Sequence, residues 1–320
     1  MKNVAVVGCG YWGRNVVRNF FRMERLLAIC DFDKAREEEC RKNYKGVRFT
    51  TSPESVCTDP AIRAVAIASP AETHFYLAKK ALENGKDVFV EKPLALTVKE
   101  GNELAALAAR KKRILMVDHL LQYHPAIIEI KRMIKRGTLG ELQYIYSNRL
   151  SIGKFRKEEN ILWSFAPHDI SVILSLVNED PVKVTAFGGT YLQKGICDTT
   201  LTTLRFRKKL KAHIFVNWLH PFKEQKLVVI GTKNMAVFND RIEDKLVLYP
   251  HKVKWVSGLP VAAKAPHKVV SISSEEPLKK ACAHFMECVR LRKTPLTDSK
   301  EALRVLRVLA SAQRSLERNT

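Results

Sequence analysis

Val4-Ala5-Val6-Val7 runs directly into Gly8-Cys9-Gly10-Tyr11-Trp12-Gly13, and residues 14–21 beyond it carry apolar side chains at helical spacing. No other stretch constrains the fold as strongly. A short β-branched run, three glycines spaced G-x-G-x-x-G and an amphipathic helix are the opening of a β-α-β unit. The first glycine allows the tight turn, the second leaves the backbone bare, and the third lets the helix lie close on the strand. The helix then starts with unbonded amides and a partial positive charge, a geometry suited to a pyrophosphate.

The next strand adds weight to the motif. A second apolar run, Leu26-Leu27-Ala28-Ile29-Cys30, ends in Asp31, the spacing at which a dinucleotide-binding unit places an acid on the adenosine ribose. A carboxylate there accepts from both ribose hydroxyls and repels a 2′-phosphate. NAD is therefore expected ahead of NADP, with Lys34 and Arg36 close by as opposing charges. The alternation continues with a charged helix over 33–41, a short strand over 47–49 and a buried strand over 64–68. Ser69-Pro70 and a helix to residue 82 come next, then a strand over 87–90, a helix over 98–109 and a strand over 114–117. That rhythm predicts a doubly wound parallel sheet, whose ligands lie beyond the carboxyl ends of the strands. Gly8, Gly10, Tyr11, Trp12, Gly13, Asp31, Ser69, Pro70 and Lys92 fall at those ends, as do Asp118 and His119. His74 is expected along the same path.

After about residue 120 the pattern changes. A helix opens at His124-Pro125 and stops at Gly137, and strand-like segments then succeed one another over 142–150, 182–191, 199–207, 211–219, 226–230, 235–238 and 245–249. Residues 199–219 read as a hairpin with Leu204 and Phe206 on one face with Ala212, Ile214, Val216 and Trp218. A helix over 167–176 interrupts the strands, and two helices, 277–291 and 299–317, close the chain. The expected class is α/β: a Rossmann domain over 1–120, then an α+β domain over 121–320 with a large, mostly antiparallel open sheet. That second domain is expected to serve substrate binding and oligomerisation, and its closing helices can pack back on the first.

Charge is the feature this plan does not explain. Fifty-five basic residues against 33 acidic give +22. Such a balance suits polyanions. The cations are dispersed, however: Arg110-Lys111-Lys112-Arg113 at a helix end, Lys208-Lys209-Leu210-Lys211 at a hairpin tip, and Arg304, Arg307, Arg314 and Arg318 on one helical face. Without aromatic interleaving or a recognition-helix pattern, nucleic-acid binding is not expected. No apolar run is long enough for a membrane helix, and no signal-peptide pattern precedes the first strand. The seven cysteines form no C-x-x-C pair and read as reduced thiols of a cytoplasmic protein. The histidines lack zinc-like spacing, so no metal is expected.

Three stretches together carry a resemblance: Gly8 to Gly13, Glu91-Lys92-Pro93 after a buried strand, and Ala166-Pro167-His168-Asp169-Ile170 within the antiparallel part. The chain resembles the Gfo/Idh/MocA oxidoreductases over its whole length. Thr73-His74, Asp198-Thr199-Thr200 and Val229-Ile230-Gly231-Thr232 are weaker marks. Arg149-Leu150, Glu158-Glu159-Asn160-Ile161-Leu162-Trp163 and Pro167-His168-Asp169 are similar to a nucleotide-sugar branch that includes UDP-N-acetylglucosamine 3-dehydrogenases, which supply 3-keto sugars for amination in envelope-glycan and lipid A synthesis. The resemblance implies a nucleotide-sugar substrate, a downstream aminotransferase and a homodimer or homotetramer. A free-sugar or cyclitol dehydrogenase is the alternative, and a non-catalytic NAD-binding sensor the alternative of another class.

The chemistry so implied is hydride transfer from a carbinol carbon. Lys92 would polarise the hydroxyl oxygen and His168, placed after Pro167 in a first helical turn, would take the proton as a neutral imidazole. Glu91 would meet the nicotinamide ribose or amide. Asp169, Ser164, Trp163 and Tyr123 are expected at the substrate, and Arg149, Lys154 and Arg156 are candidates for its phosphates. Ser164 stands where many relatives carry an acid or amide, so any tuning of the base by a carboxylate must come from elsewhere.

Overall fold

The computed structural model describes residues 2–153, 155–157 and 159–319. It resolves into two compact units, one comprising residues 1–123 with 275–306 and the other residues 124–274 with 307–320.

The first unit is built in chain order from β1 (Val4–Val7), α1 (Gly13–Arg22), β2 (Leu26–Cys30), α2 (Arg36–Asn43), β3 (Arg48–Thr50), α3 (Pro53–Thr58), β4 (Ala64–Ile67), α4 (His74–Glu83), β5 (Asp87–Val90), α5 (Val98–Arg110) and β6 (Leu115–Val117). All neighbouring strands are parallel, in the order β3-β2-β1-β4-β5-β6. This is the doubly wound sheet that the alternation predicts. The central strands β1, β4 and β5 are buried at every position, because helices cover both faces. On one face Ala5, Val65, Val88 and Val117 meet Ala78, Ala81 and Leu82 of α4 and Leu104 and Leu107 of α5. On the other, Val4, Val6, Ala66 and Phe89 meet Val16, Val17 and Phe20 of α1. Thr97 and Glu100 start α5 with a reciprocal capping box. The short α3, begun by Ser52 and Pro53, was not anticipated.

The second unit holds α6 (Pro125–Lys135), β7 (Leu142–Ile152), α7 (Ile161–Val177), β8 (Lys183–Gly189), β9 (Thr199–Arg205), β10 (Lys211–Asn217), β11 (Leu219–Gly231), β12 (Met235–Asn239), β13 (Leu246–Tyr249), β14 (Lys252–Val256), β15 (Leu259–Ala263) and β16 (Lys268–Val269). Eight strands form one sheet in the order β16-β13-β12-β11-β7-β10-β9-β8. Every pair is antiparallel except β7 with β10. The expected hairpin is present: Leu204 faces Ala212 and Thr202 faces Ile214 across β9 and β10, and Phe206 and Trp218 are buried beyond its ends. Helix α7 packs on β7, β9 and β10. On the opposite side of the sheet Tyr146 stacks on His213, whose Nδ1 lies 2.7 Å from the Tyr144 hydroxyl. Two differences from the sequence reading stand out. The strand expected over 226–230 is the second half of the 13-residue β11, and a separate β14–β15 hairpin, with Val253, Trp255 and Leu259 exposed, stands outside the large sheet.

Two helices remain, α8 (Pro277–Leu291) and α9 (Ser299–Asn319). α8 belongs to the first unit, where Phe285 joins Phe20 and Phe89 in an aromatic cluster with ring centres 5.6–6.4 Å apart. α9 contributes to the first unit as far as Leu306. All seven cysteines are buried and free.

Candidate functional site

The glycine turn has the geometry its spacing demands. Gly8 has φ +96°, and a Cβ on it would lie 2.6 Å from the Ala68 backbone at the end of β4. A Cβ on Gly13 would lie 2.2 Å from the Gly8 carbonyl oxygen. Gly10 differs: nothing lies within 4 Å of a Cβ built there. The first and third glycines are thus required by the protein itself, while the second leaves open space over the turn. α1 begins without a side-chain cap and without an acid in its first turn, so its amides and partial positive charge are not offset. Tyr11 is 88% exposed and Trp12 38% exposed on this turn.

Asp31 closes the same corner. Its Oδ2 accepts from the Cys9 amide at 2.6 Å and its Oδ1 from the Asp33 amide at 3.0 Å. Arg36 stands 3.7 Å from Oδ2. Each carboxylate oxygen keeps acceptor capacity for a hydroxyl. A bare second glycine, an unoffset helix start and an acid at the next strand end fit a dinucleotide, and Gly8, Gly10, Gly13 and Asp31 would hold it.

The ends of β4 and β5 come together through His74. This ring is buried, with Nδ1 2.7 Å from the Pro93 carbonyl and Nε2 3.0 Å from the Ser69 carbonyl. A neutral imidazole donates to one of two such carbonyls and a protonated one to both. His74 therefore ties the two strand-end loops together. Ser69 bonds the Thr73 hydroxyl, and Pro70 is exposed. After β5, Glu91 is buried and accepts from Trp12 Nε1 at 2.5 Å, which links the glycine turn to the Glu-Lys-Pro segment. Lys92 precedes Pro93 across a cis peptide and is half-buried. Asp118, at the end of β6, is fully buried, and His119 beside it lies 2.6 Å from Glu301.

In the second unit Trp163, Ser164, His168 and Asp169, expected at the site, lie on α7, whose start differs from the one expected. The helix begins at Ile161, with Asn160 capping the Trp163 amide, so Pro167 lies inside it and His168 is in its middle turns. Pro167 removes one donor from the helix interior, a cost set against the burial of most of α7. A positive helix end does not act on His168 there, since the dipole is felt only within the first turn. Asp169 is buried, and its carboxylate holds three donors: Arg149 Nε donates to Oδ2 at 2.7 Å, Arg149 Nη2 to Oδ1 at 3.1 Å and Ser147 Oγ to Oδ1 at 2.5 Å. Arg149 and Asp169, expected at the substrate, thus pin α7 to β7 next to His168. Ser164 is buried, and Trp163 donates through Nε1 to Gln313 at 3.1 Å. Arg156 is half-exposed near Glu159, and Lys154 lies outside the described residues. Tyr123 sits in the core of the first unit, its hydroxyl 3.4 Å from Thr297, rather than on an open surface.

Sequence reasoning missed the Arg149–Asp169 pair. The signal was available: Ser147 and Arg149 share one face of β7, and Asp169 is the sole acid of α7. Asp198, named only as a mark of the resemblance and given no role, is fully buried and holds the amides of Tyr191 and Leu192 and the Trp218 indole N–H. Among the described residues no group of three His, Cys, Asp or Glu side chains is arranged to hold a metal, and no helix is long and apolar enough to cross a membrane.

Comparison with known proteins agrees with this geometry. Scyllo-inositol 2-dehydrogenase (NAD(+)) of Bacillus subtilis is 25% identical over 97% of this chain and 93% of its own length. UDP-N-acetylglucosamine 3-dehydrogenase of Acidithiobacillus ferrooxidans is 27% identical over 57% of this chain and 56% of its own. A solved structure of the latter enzyme superposes with a TM-score of 0.86, covering 99% of this chain and 98% of that one at 20% identity, which shows a shared fold. The model of the oxidoreductase family with NAD-binding Rossmann fold matches residues 2–119, and that of the GFO/IDH/MocA C-terminal domain matches residues 127–237. With both of its domains matched, the chain belongs to the Gfo/Idh/MocA family of NAD-binding oxidoreductases.

Proposed function

We propose that this protein is an NAD-dependent dehydrogenase that oxidises a hydroxyl of a nucleotide sugar, the 3-hydroxyl of UDP-N-acetylglucosamine being the first substrate to test. The observation that carries the reading is the Glu91-Lys92-Pro93 segment at the end of β5, joined by the Trp12–Glu91 bond to a glycine turn whose middle glycine faces open space. When bound, NAD supplies the hydride acceptor. Lys92 polarises the substrate oxygen through Nζ, and an imidazole nitrogen of His168 takes the hydroxyl proton. The Arg149–Asp169 bridge holds the helix turn that carries His168, which makes Asp169 a positioning residue. Asp31 favours NAD because its carboxylate meets a 2′-phosphate with like charge, and Arg36 on its flank limits that preference. Half-exposed Arg156 would meet substrate phosphate. The keto product calls for an aminotransferase as the consuming reaction, and the half-exposed side of the eight-stranded sheet would pair with a second copy of the chain.

A second reading, oxidation of a cyclitol, is favoured by the near full-length likeness to scyllo-inositol 2-dehydrogenase. The test is NADH absorbance with the UDP-sugar, myo- and scyllo-inositol and free glucose, run in parallel with an aminotransferase as a sink. A signal with the UDP-sugar supports the first reading, and a signal with cyclitols alone replaces it by the second. Lys92→Ala is expected to abolish turnover while NAD still binds in a calorimetric titration. Unchanged turnover in that variant overturns the mechanism.

A further inference from the structure

β5 and β6 are parallel neighbours, with Phe89 opposite Met116 and Val90 opposite Val117. That register puts their next residues, Glu91 and Asp118, side by side at the carboxyl edge, where the Asp118 amide donates to the Val90 carbonyl at 2.8 Å. Both side chains are buried, Asp118 completely. Glu91 has a donor in Trp12. Asp118 has none: among the described residues no N–H or O–H reaches either of its oxygens, and the group within hydrogen-bonding reach is the Glu91 carboxyl.

Two carboxylates are acceptors only, and a buried acceptor facing another acceptor is unfavourable even before charge is counted. Two like charges in contact away from water add a larger penalty. A proton removes both problems at once, since a protonated carboxyl donates its O–H to the other group. The surroundings offer no substitute. Cys282 of α8 and the Tyr123 hydroxyl also feel the Asp118 charge, but burial pushes both groups up, so each stays neutral. His119 is engaged with Glu301. Lys92 is the cation that acts on both carboxyls. Burial pushes Glu91 and Asp118 above the usual carboxylate range, Asp118 further because the Glu91 charge lies beside it.

We propose that Glu91 and Asp118 share one proton and act as a single monoanionic acid pair behind Lys92, with Asp118 a positioning residue that works through Glu91. One negative charge then balances one ammonium. Loss of the shared proton would set two negative charges against it, and gain of a second would leave the ammonium without a counter-charge. The pair's effect on turnover rests on the dehydrogenase reading, but its existence does not.

The experiment therefore begins with the ligand-free protein. Infrared difference spectra of wild type against Asp118→Asn are expected to show the carbonyl band of a protonated carboxylic acid at neutral pH in wild type. The band shifts in heavy water, fades as pH is raised, and is missing in the variant. Thermal unfolding supplies a second readout. A proton held by the folded chain where both carboxyls ionise in the unfolded chain makes wild-type stability fall as pH rises from about 4. Asparagine donates to Glu91 without needing that proton. The two melting temperatures should coincide near pH 4 and separate with rising pH, the variant melting higher. If the assay detects turnover, the alkaline limb of kcat/KM is expected to move in Asp118→Asn. A wild-type protein without the acid band, a band that survives in the variant, or melting temperatures that run parallel with pH would each overturn the pair. Absence of turnover with every sugar would fail the functional reading and leave the infrared result standing.

Discussion

The three glycines of the turn look alike in sequence and differ in what they serve. Gly8→Ala places a Cβ against the Ala68 backbone at a φ of +96° and is expected to cost about 1–3 kcal/mol from backbone strain alone. Gly10→Ala meets open space and should melt within a degree or two of wild type, a change of about 0.5 kcal/mol or less. Its new methyl lies where the turn needs a bare backbone, so NAD affinity should fall by about tenfold or more, about 1.4 kcal/mol. Paired urea unfolding and NAD titration check both halves. Spacing identified these residues because it is a local rule. It could not reveal that Asp31 already accepts two amides, or that His74 spans two carbonyls, because those bonds depend on how the folded loops sit against one another.

α7 shows where reading by element succeeds and where it stops. The helix was recognisable, but its start was misplaced by six residues because Pro167 resembles a first-turn proline. Asn160 was the true cap. The polar residues of β7 and α7 were read as substrate ligands and the Arg149–Asp169 bridge between them was not read, since burial is a tertiary property that neither segment carries alone. Asp169→Ala leaves the Arg149 guanidinium, 13% exposed, without its counter-charge and should cost about 3–5 kcal/mol, read as a lower urea midpoint. Replacing both partners by apolar residues of similar size should recover most of that loss. An activity defect in Asp169→Ala alone would therefore report first on the footing of α7. The parallel sheet, by contrast, was legible strand by strand, because burial on both faces leaves continuous apolar runs such as Ala64 to Ile67. The β14–β15 hairpin escaped, as its exposed strands carry no inward–outward alternation.

At the scale of the molecule, charge and thiols were the two features composition raised. The cations are spread over helix ends, hairpin tips and surface faces. The thiols lead further. Burial pushes Cys9 and Cys30 up to about 12 and Cys57 up to about 11, and Cys40, Cys282 and Cys288 rise for the same reason. Reaction with a thiol reagent needs a thiolate and access; the folded chain denies both to those six, and burial denies access to Cys197. Six of the seven sulfurs lie in the first unit, while Cys197 alone lies in the second. The protein thus carries its own stopwatch for breathing motions. Under native conditions the mass increase after thiol modification should advance only as fast as each unit opens, with Cys197 keeping a separate rate from the other six. Digestion and mass spectrometry would read the two clocks side by side, and immediate modification of the native chain would show that the thiols are not sealed.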